Sequence, residues 1–205
     1  MIRIVAAAGL VAALVSSRVL AGEYNEQLSI GDRAPAWKNL PGVDGKQHSL
    51  ADLDAELVLV VFTCNSCPVA ADYEDRIIAL AKKYGGPDGK LALAAINVNR
   101  VPEDSVPKMK ERAEQKGFPF PYLFDASQQI AKDYGAAFTP EFFLLDKERR
   151  VLYMGGMDDN SNAAHVKTRF LEPAIEAALA GDELPVKETV AIGCRIRYVR
   201  ERKPK

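Results

Sequence analysis

The sequence predicts a single α/β domain of three layers with a mixed central sheet. Two unbroken apolar runs, Leu57–Phe62 and Leu91–Ile96, flank a helical pattern, as expected for strands buried on both faces. Such a strand–helix–strand unit forms parallel strands with a right-handed crossover. Two further strands joined by a tight turn precede the last helix, so we expect them to add antiparallel strands to the same sheet.

The first 21 residues predict a signal peptide. Arg3 gives a positive start, Ile4–Val15 is an uncharged stretch, and Val19-Leu20-Ala21 suits cleavage after Ala21. Those 12 uncharged residues span only about 18 Å as a helix, short of the roughly 30 Å of a bilayer core. We therefore expect export to the periplasm or the extracellular space, without stable membrane insertion after cleavage. The remainder divides into one domain at 22–181 and a C-terminal extension at 182–205.

The order of elements follows from turn residues and apolar periodicity. Residues 23–53 predict an N-terminal β-hairpin and a short helical turn, and Gly85 ends the helix that begins after Cys67. A helical insertion follows the second buried strand. The elements expected from there onward are a helix at Glu103–Lys116, a strand at Pro121–Phe124, a helix at Ser127–Tyr134, strands at Glu141–Leu145 and Arg150–Met154, a helix at Ala163–Ala180 and a short strand at Val190–Ile192.

Composition excludes several classes of protein. With 27 basic and 28 acidic residues the net charge is −1, which argues against a nucleic-acid binder. Three cysteines are too few for a disulfide scaffold or a paired zinc ribbon, and two histidines argue against a multi-histidine metal centre. We therefore expect no nucleic-acid partner, no metal and no cofactor.

Cys64 and Cys67 are the residues at which the sequence predicts chemistry. They lie where a buried strand ends and a helix begins, and free N–H groups at such a terminus stabilise a thiolate. Because Cys64 comes first, we expect a lowered pKa there and assign it as the attacking thiol, with Cys67 as the resolving thiol. A structural disulfide, worth about 2 kcal/mol for so short a loop, and a metal site are the alternatives.

Thr139-Pro140 is the second part of the predicted site. The strand that begins after Pro140 should run antiparallel to Leu57–Phe62, so its start lies beside Cys64. The backbone carbonyl and N–H of Thr139 would then face the polypeptide of a substrate protein bound beside Cys64.

Together these motifs resemble the thioredoxin superfamily, and in particular its AhpC/TSA and TlpA-like branch. The resemblance covers about residues 28–180 and includes Gly31-Asp32-x-Ala34-Pro35, the Asp44-Gly45-Lys46 turn, Cys64-x-x-Cys67-Pro68 and Thr139-Pro140. It implies a thioredoxin-like fold, a nucleophilic Cys64, a resolving Cys67, and a substrate groove with a cis-proline at Pro140. The implied partners are protein thiols or disulfides, with a membrane electron donor as a further expected partner.

Two departures from the family pattern bear on the reaction. The peroxiredoxin pattern Pro-x-x-x-Thr-x-x-Cys is absent, since the matching positions before Cys64 are Leu57 and Val61. We therefore expect thiol–disulfide exchange, with a peroxiredoxin-like peroxidase as the alternative. The buried acid that thioredoxins place six residues before the first cysteine is Val58 here. Asp158, Asp159 and Glu141 are the candidates to replace it, although a turn or helix-cap role also explains the two aspartates.

Cys194 and His165 leave alternatives open. Cys194 is a buried small residue, a thiol that pairs with Cys64 in one redox state, or an intermolecular partner. His165 together with the two CxxC cysteines would resemble copper-delivering Sco-type proteins, but those carry a CxxxC motif that is one residue longer. A surface position on a helix is the simpler interpretation of His165.

Overall fold

The computed structural model describes residues 22–199, so the predicted signal peptide at 1–21 lies outside the described residues. Between residues 22 and 199 no helix combines the length and the apolar character needed to cross a membrane. The strands are β1 (Leu40–Pro41), β2 (Gln47–His48), β3 (Leu57–Phe62), β4 (Leu91–Asn97), β5 (Tyr122–Phe124), β6 (Phe138–Thr139), β7 (Glu141–Leu145), β8 (Val151–Gly155) and β9 (Cys194–Arg195). The α-helices are α1 (Pro68–Tyr84), α2 (Val106–Lys116), α3 (Gln129–Asp133) and α4 (Leu171–Ala180).

A five-stranded mixed sheet, in the order β5-β4-β3-β7-β8, forms the middle layer. β3 pairs in parallel with β4 and antiparallel with β7, while β8 is antiparallel to β7. The predicted mixed sheet and the N-terminal hairpin, formed by β1 and β2, are both confirmed. Because β7 runs against β3, Glu141 at its start pairs with Phe62 at the end of β3.

β3 is the central strand of the sheet, and every one of its side chains is apolar. Only a central strand buries side chains on both faces, as is observed here. Successive side chains point to opposite faces of a sheet. Leu59 therefore packs on one face with Tyr73 of α1 and Ile175 of α4, and Val60 packs on the other face near Trp37. Full burial of each such side chain contributes roughly 1.5–3 kcal/mol. Helices on one side and the N-terminal segment with α3 on the other complete the three predicted layers.

The helix predicted at Ala163–Ala180 is wrong in its first half. A 3₁₀ turn covers Ala163–His165, and α4 starts only at Leu171. Pro173 explains the break, because its ring would clash with the carbonyl of Arg169 in a continuous helix, whereas proline is tolerated in a first turn. The charged helix also starts later than predicted: a separate 3₁₀ turn at Pro102–Asp104 precedes α2.

The strand predicted at Val190–Ile192 is also wrong. Both of these side chains are exposed, and the strand that forms is β9, which pairs antiparallel with β6. Thr139 is aligned with Cys194, and Phe138 with Arg195. β-propensity describes a local preference, whereas the available partner backbone decides which residues pair. The C-terminal segment thus reaches the end of the sheet where Cys64 lies.

Candidate active site

Cys64 and Cys67 lie between the carboxyl end of β3 and the start of α1. Cys67 is the N-cap of α1, and Pro68 is its first residue, where a missing N–H costs little. The backbone N–H of Ala70 points to the Cys67 sulfur at 3.3 Å. Both thiols are free and almost fully buried, with exposed fractions of 3% for Cys64 and 1% for Cys67.

Thr139 and Pro140 lie directly against this pair of thiols. The peptide bond between them is cis, as the resemblance implies. Thr139 Oγ1 is 3.4 Å from Cys64 Sγ, and the Cys67 thiol donates to the Thr139 carbonyl oxygen at 3.2 Å. The structure therefore brings together all four residues predicted for the site, because antiparallel pairing of β7 with β3 places their ends side by side.

When the pair loses one proton, the surroundings favour the charge on Cys67, which in that form no longer donates to the Thr139 carbonyl. The pKa of Cys67 is lowered because its sulfur accepts a hydrogen bond from Cys64 and, in addition, the Ala70 N–H. The pKa of Cys64 is raised because its proton is held in the bond to Cys67 and because the thiol is buried. The expectation that helix amides lower the pKa of Cys64 is therefore wrong: the helix begins at Pro68, so its free amide reaches Cys67.

Asp104 is a site residue that the sequence analysis missed. Its fully buried carboxylate accepts the backbone N–H groups of Asn65 at 2.7 Å and Ser66 at 3.1 Å, and the Ser66 hydroxyl at 2.6 Å. Ser66 Oγ is in turn 3.7 Å from Cys64 Sγ. The carboxylate thus occupies the loop N–H groups that would otherwise stabilise a thiolate at Cys64.

The position of Asp104 could not be read from the sequence. It lies in the 3₁₀ turn Pro102–Asp104, next to Glu103 in an acidic pair that resembles any solvated helix start. The Asn97 side chain at the end of β4 donates to it at 3.1 Å. Only the adjacent ends of β3 and β4 in the sheet bring the carboxylate to the CxxC loop.

The three acids that the sequence offered as proton acceptors lie elsewhere. Asp158 accepts a hydrogen bond from Tyr73 at 2.9 Å and pairs with Arg76, and Asp159 accepts the Lys167 N–H at 2.9 Å. Glu141 is buried, and its carboxylate accepts the backbone N–H groups of two residues that precede Thr139, Ala137 at 2.7 Å and Phe138 at 2.9 Å. Burial raises the pKa of Glu141 to about 7. Within residues 22–199, none of these three carboxylates hydrogen-bonds either sulfur of the CxxC pair.

His165 is exposed in the turn Ala163–His165. The hydrogen bonds to the two sulfurs come from other residues, so the copper interpretation gains no contact from this histidine. Cys194, by contrast, packs against Cys64 and Cys67.

Comparison with known proteins identifies the family. The sequence profile described as the AhpC/TSA family matches residues 30–154, which include the hairpin, the CxxC pair and the cis-proline. The chain belongs to the AhpC/TSA family. Members of this family are redox enzymes.

Individual relatives agree with this assignment. The chain is 28% identical over 127 residues to the thiol-disulfide oxidoreductase ResA of Geobacillus thermodenitrificans, which covers 60% of this chain and 67% of ResA. It is 30% identical over 115 residues to a candidate peroxiredoxin of Mycobacterium tuberculosis, covering 54% of this chain and 66% of the relative. The matches thus span about two thirds of these relatives.

Solved structures establish the fold class. A hypothetical protein of Sinorhizobium meliloti 1021 superposes with a TM-score of 0.79 at 34% identity, covering 86% of this chain and 98% of that protein. A candidate thioredoxin of Neisseria meningitidis superposes with a TM-score of 0.56 at 25% identity, covering 72% of this chain and 89% of that one. The fold is thioredoxin-like.

Proposed function

We propose that this chain is an exported thiol–disulfide oxidoreductase that exchanges its Cys64–Cys67 dithiol with disulfides of partner proteins. The observation that carries the proposal is the buried pair of thiols at the start of α1, in contact with the cis Thr139–Pro140 bond. The similarity to ResA, a protein named for thiol–disulfide exchange, supports it.

In the first step Cys64 attacks a partner disulfide. The Cys64 thiol must lose its proton, and the hydrogen-bonded Cys67 thiolate is the nearest base. A second route leads through the Ser66 hydroxyl to Asp104, at 3.7 Å and 2.6 Å. A bond forms between Cys64 and one partner sulfur while the partner disulfide breaks, and the other partner sulfur leaves as a thiolate that takes up a proton.

In the second step Cys67 resolves the mixed disulfide. Cys67 passes the proton that it took from Cys64 to the first departing partner sulfur and is a thiolate again. Stabilised by the Ala70 N–H, this thiolate attacks Cys64 Sγ and displaces the remaining partner sulfur, which takes a proton from water. The chain ends as the Cys64–Cys67 disulfide and the partner as a dithiol, so two electrons have moved, with one proton from the pair and one from water. Run backwards, the same steps oxidise a partner dithiol.

Thr139 and Pro140 form the substrate-binding part of the proposed site. The backbone of β6, which ends at Thr139, pairs with β9 in this structure, so β9 must leave Thr139 before a partner chain can pair there. A partner chain that pairs at Thr139 would carry its disulfide past Cys64, whose sulfur lies 3.4 Å from Thr139 Oγ1.

Trapping the mixed disulfide tests this proposal. In a Cys194→Ser background, Cys67→Ser should accumulate a covalent adduct with a disulfide-containing protein such as insulin, because Cys64 attacks and nothing releases the product. The matched variant Cys64→Ser in the same background should accumulate far less. Equal trapping by both variants, or by neither, would overturn the assignment of Cys64 as nucleophile.

A peroxidase that uses Cys64 is the second candidate, favoured by the similarity to the candidate peroxiredoxin of M. tuberculosis. Its signature residues are replaced here by Leu57 and Val61, both of which are buried in β3. Consumption of hydrogen peroxide by the reduced protein, faster than its exchange with protein disulfides, would favour the peroxidase over the oxidoreductase.

Export and electron supply complete the proposal. Residues 1–21 carry the export signal in the sequence, and a membrane electron donor would re-reduce the dithiol outside the cytoplasm. Amino-terminal sequencing of the protein from the periplasmic or secreted fraction should begin at Gly22. Recovery of the protein only from the cytoplasm, with residue 1 retained, would contradict export.

A further inference from the structure

The C-terminal segment 187–199 runs along the edge of the sheet and across the dithiol. Beside β8, the Lys187 carbonyl accepts the Met154 N–H at 3.0 Å, and Thr189 N–H donates to Met154 at 3.1 Å. Beyond the dithiol, the Ile196 N–H donates to the Ala137 carbonyl at 2.9 Å. The segment is therefore hydrogen-bonded on both sides of the CxxC pair.

Side chains of the domain hold the far end of the segment in place. The Asn99 side chain accepts the Arg197 N–H at 2.9 Å. Gln128, which is itself buried, donates to the Arg197 carbonyl at 3.0 Å and accepts the Val199 N–H at 2.8 Å. Ile196 is buried between these anchors. The path of the segment over the site is thus fixed by several independent contacts.

These anchors place Cys194 on the dithiol. Its side chain packs against the cluster formed by Cys64, Cys67 and Ala70, and it interacts electrostatically with Cys67. The Thr139 hydroxyl, which also contacts Cys64, donates to the Cys194 carbonyl at 3.4 Å. A third thiol therefore lies beside the sulfur that becomes part of a disulfide in the proposed reaction.

Gly193 makes this close approach possible. A Cβ atom at this position would lie 2.1 Å from the Thr139 carbonyl oxygen, well inside van der Waals contact. The same carbonyl accepts the Cys67 thiol at 3.2 Å. Any larger residue at 193 would push the segment, and Cys194 with it, away from the pair.

We propose that Cys194 is a third exchange cysteine, which forms a disulfide with Cys67 in place of the Cys64–Cys67 bond and returns Cys64 to the free thiol. Cys194 loses its proton and attacks Cys67 Sγ, the bond from Cys67 to Cys64 breaks, and Cys64 leaves with the electron pair and takes up one proton. One disulfide and one thiol are present before and after the step, so no external oxidant is needed. The proposal deepens the proposed function and rests on it.

The step has a consequence for the working cycle. With Cys67 bound to Cys194, the covalent bond fixes β9 on Thr139, the same strip of backbone that a partner chain would pair with. In this form β9 cannot leave Thr139 to admit a partner chain, and reduction of the Cys67–Cys194 bond by an electron donor frees β9 to move away. We therefore expect the Cys67–Cys194 bond to be reduced by dithiol electron donors, and the disulfide-bearing partner proteins not to react with this form.

Disulfide mapping of the full chain tests the proposal. Cys64→Ser is oxidised with glutathione disulfide, free thiols are alkylated at low pH, and the digest is analysed by mass spectrometry. A monomeric Cys67–Cys194 linkage should predominate, whereas Cys67→Ser, the matched variant, should link Cys64 to Cys194 about tenfold less, equivalent to ~1.4 kcal/mol. Recovery of Cys194 as an alkylated free thiol in Cys64→Ser, with Cys67 joined to glutathione, would overturn the proposal.

Gly193→Ala separates the position of the segment from the chemistry of the thiols. All three cysteines remain, but we expect the fraction of Cys67–Cys194 linkage in the oxidised chain to fall about tenfold. Ile192→Ala, an exposed neighbour on the same segment, should leave that fraction unchanged. If Gly193→Ala left it unchanged as well, the segment would not position Cys194 and the proposal would fail.

Failure of this inference is distinguishable from failure of the proposed function. A protein that forms the Cys64–Cys67 disulfide and reduces insulin while Cys194 stays free would retain the proposed function and lose only the third exchange cysteine. A protein in which no linkage forms between any two of the three cysteines would lose both. Circular dichroism of each variant confirms that it has folded.

Discussion

Replacing Asp104 with Asn should lower the pKa of Cys64. The carboxylate is fully buried and accepts hydrogen bonds from both residues between the cysteines. An Asn side chain has nearly the same shape and keeps one oxygen acceptor for the loop N–H groups, but it removes the negative charge. Its amide group would also donate to Ser66 Oγ, which frees the Ser66 hydroxyl to donate to Cys64.

The size of the effect follows from the geometry. Ser66 Oγ lies between the two charged groups, 2.6 Å from Asp104 Oδ2 and 3.7 Å from Cys64 Sγ. Asp104 Oδ2 and Cys64 Sγ are therefore at most about 6.3 Å apart. Two unit charges at that distance interact by about 2.6 kcal/mol at an effective dielectric constant of about 20. Since one pKa unit corresponds to about 1.36 kcal/mol, Asp104→Asn should lower the pKa of Cys64 by roughly 2 units.

The measurement needs Cys64 to be the only thiol. In a Cys67→Ser, Cys194→Ser background, the ultraviolet absorbance of the thiolate is followed against pH with Asp or Asn at position 104. Glu103→Gln is the matched control, because this neighbouring acid is exposed and screened by solvent. It should change the pKa of Cys64 far less than Asp104→Asn does.

An unchanged or raised pKa of Cys64 in Asp104→Asn would refute this reasoning. The same variant should also become a stronger oxidant, because stabilising the thiolate stabilises the reduced protein. Equilibration of the parent protein and of Asp104→Asn with glutathione buffers would show this as a higher reduction potential.

Three further variants test other parts of the structure. Thr139→Val removes the hydroxyl 3.4 Å from Cys64 and should raise the pKa of that thiol by about 0.7 unit, the value of one net hydrogen bond, in the same absorbance titration. The folded-state pKa of Glu141, about 7, is above the ordinary value of 4.5, so its contribution to stability is present below pH 4.5 and is lost as pH rises through about 7. Glu141→Gln should remove this loss of about 3 kcal/mol, which urea denaturation at pH 4 and pH 8 would measure; an equal pH dependence in both proteins would contradict it. Phe143→Ala, at a buried ring in contact with Phe62 and Tyr134, should lower the free energy of unfolding by about 3–5 kcal/mol in the same assay, and a loss below 1 kcal/mol would show that this core is not close-packed.

Hydrophobic periodicity alone determined the central sheet and the crossover helix. β3 has the predicted bounds Leu57–Phe62, because an unbroken run of apolar residues can be satisfied only by burial on both faces. The place of the CxxC pair also followed from sequence, since it joins a strand to a helix. The helix starts predicted at Glu103 and Ala163 were too early, the second because Pro173 breaks the helix, and the strand predicted at Val190–Ile192 was wrong because the partner backbone at β6 selects Cys194–Arg195.

The electrostatic character of the site was decided by tertiary structure. Local sequence assigned the free helix amides to Cys64, but in a helix that begins at Pro68 the free N–H of Ala70 points to Cys67. Asp104 lies 38 positions from Ser66, and Cys194 lies 55 positions from Thr139. Sequence patterns report the periodicity of one segment, whereas charge and redox behaviour depend on which separate segments the sheet brings within a few ångströms.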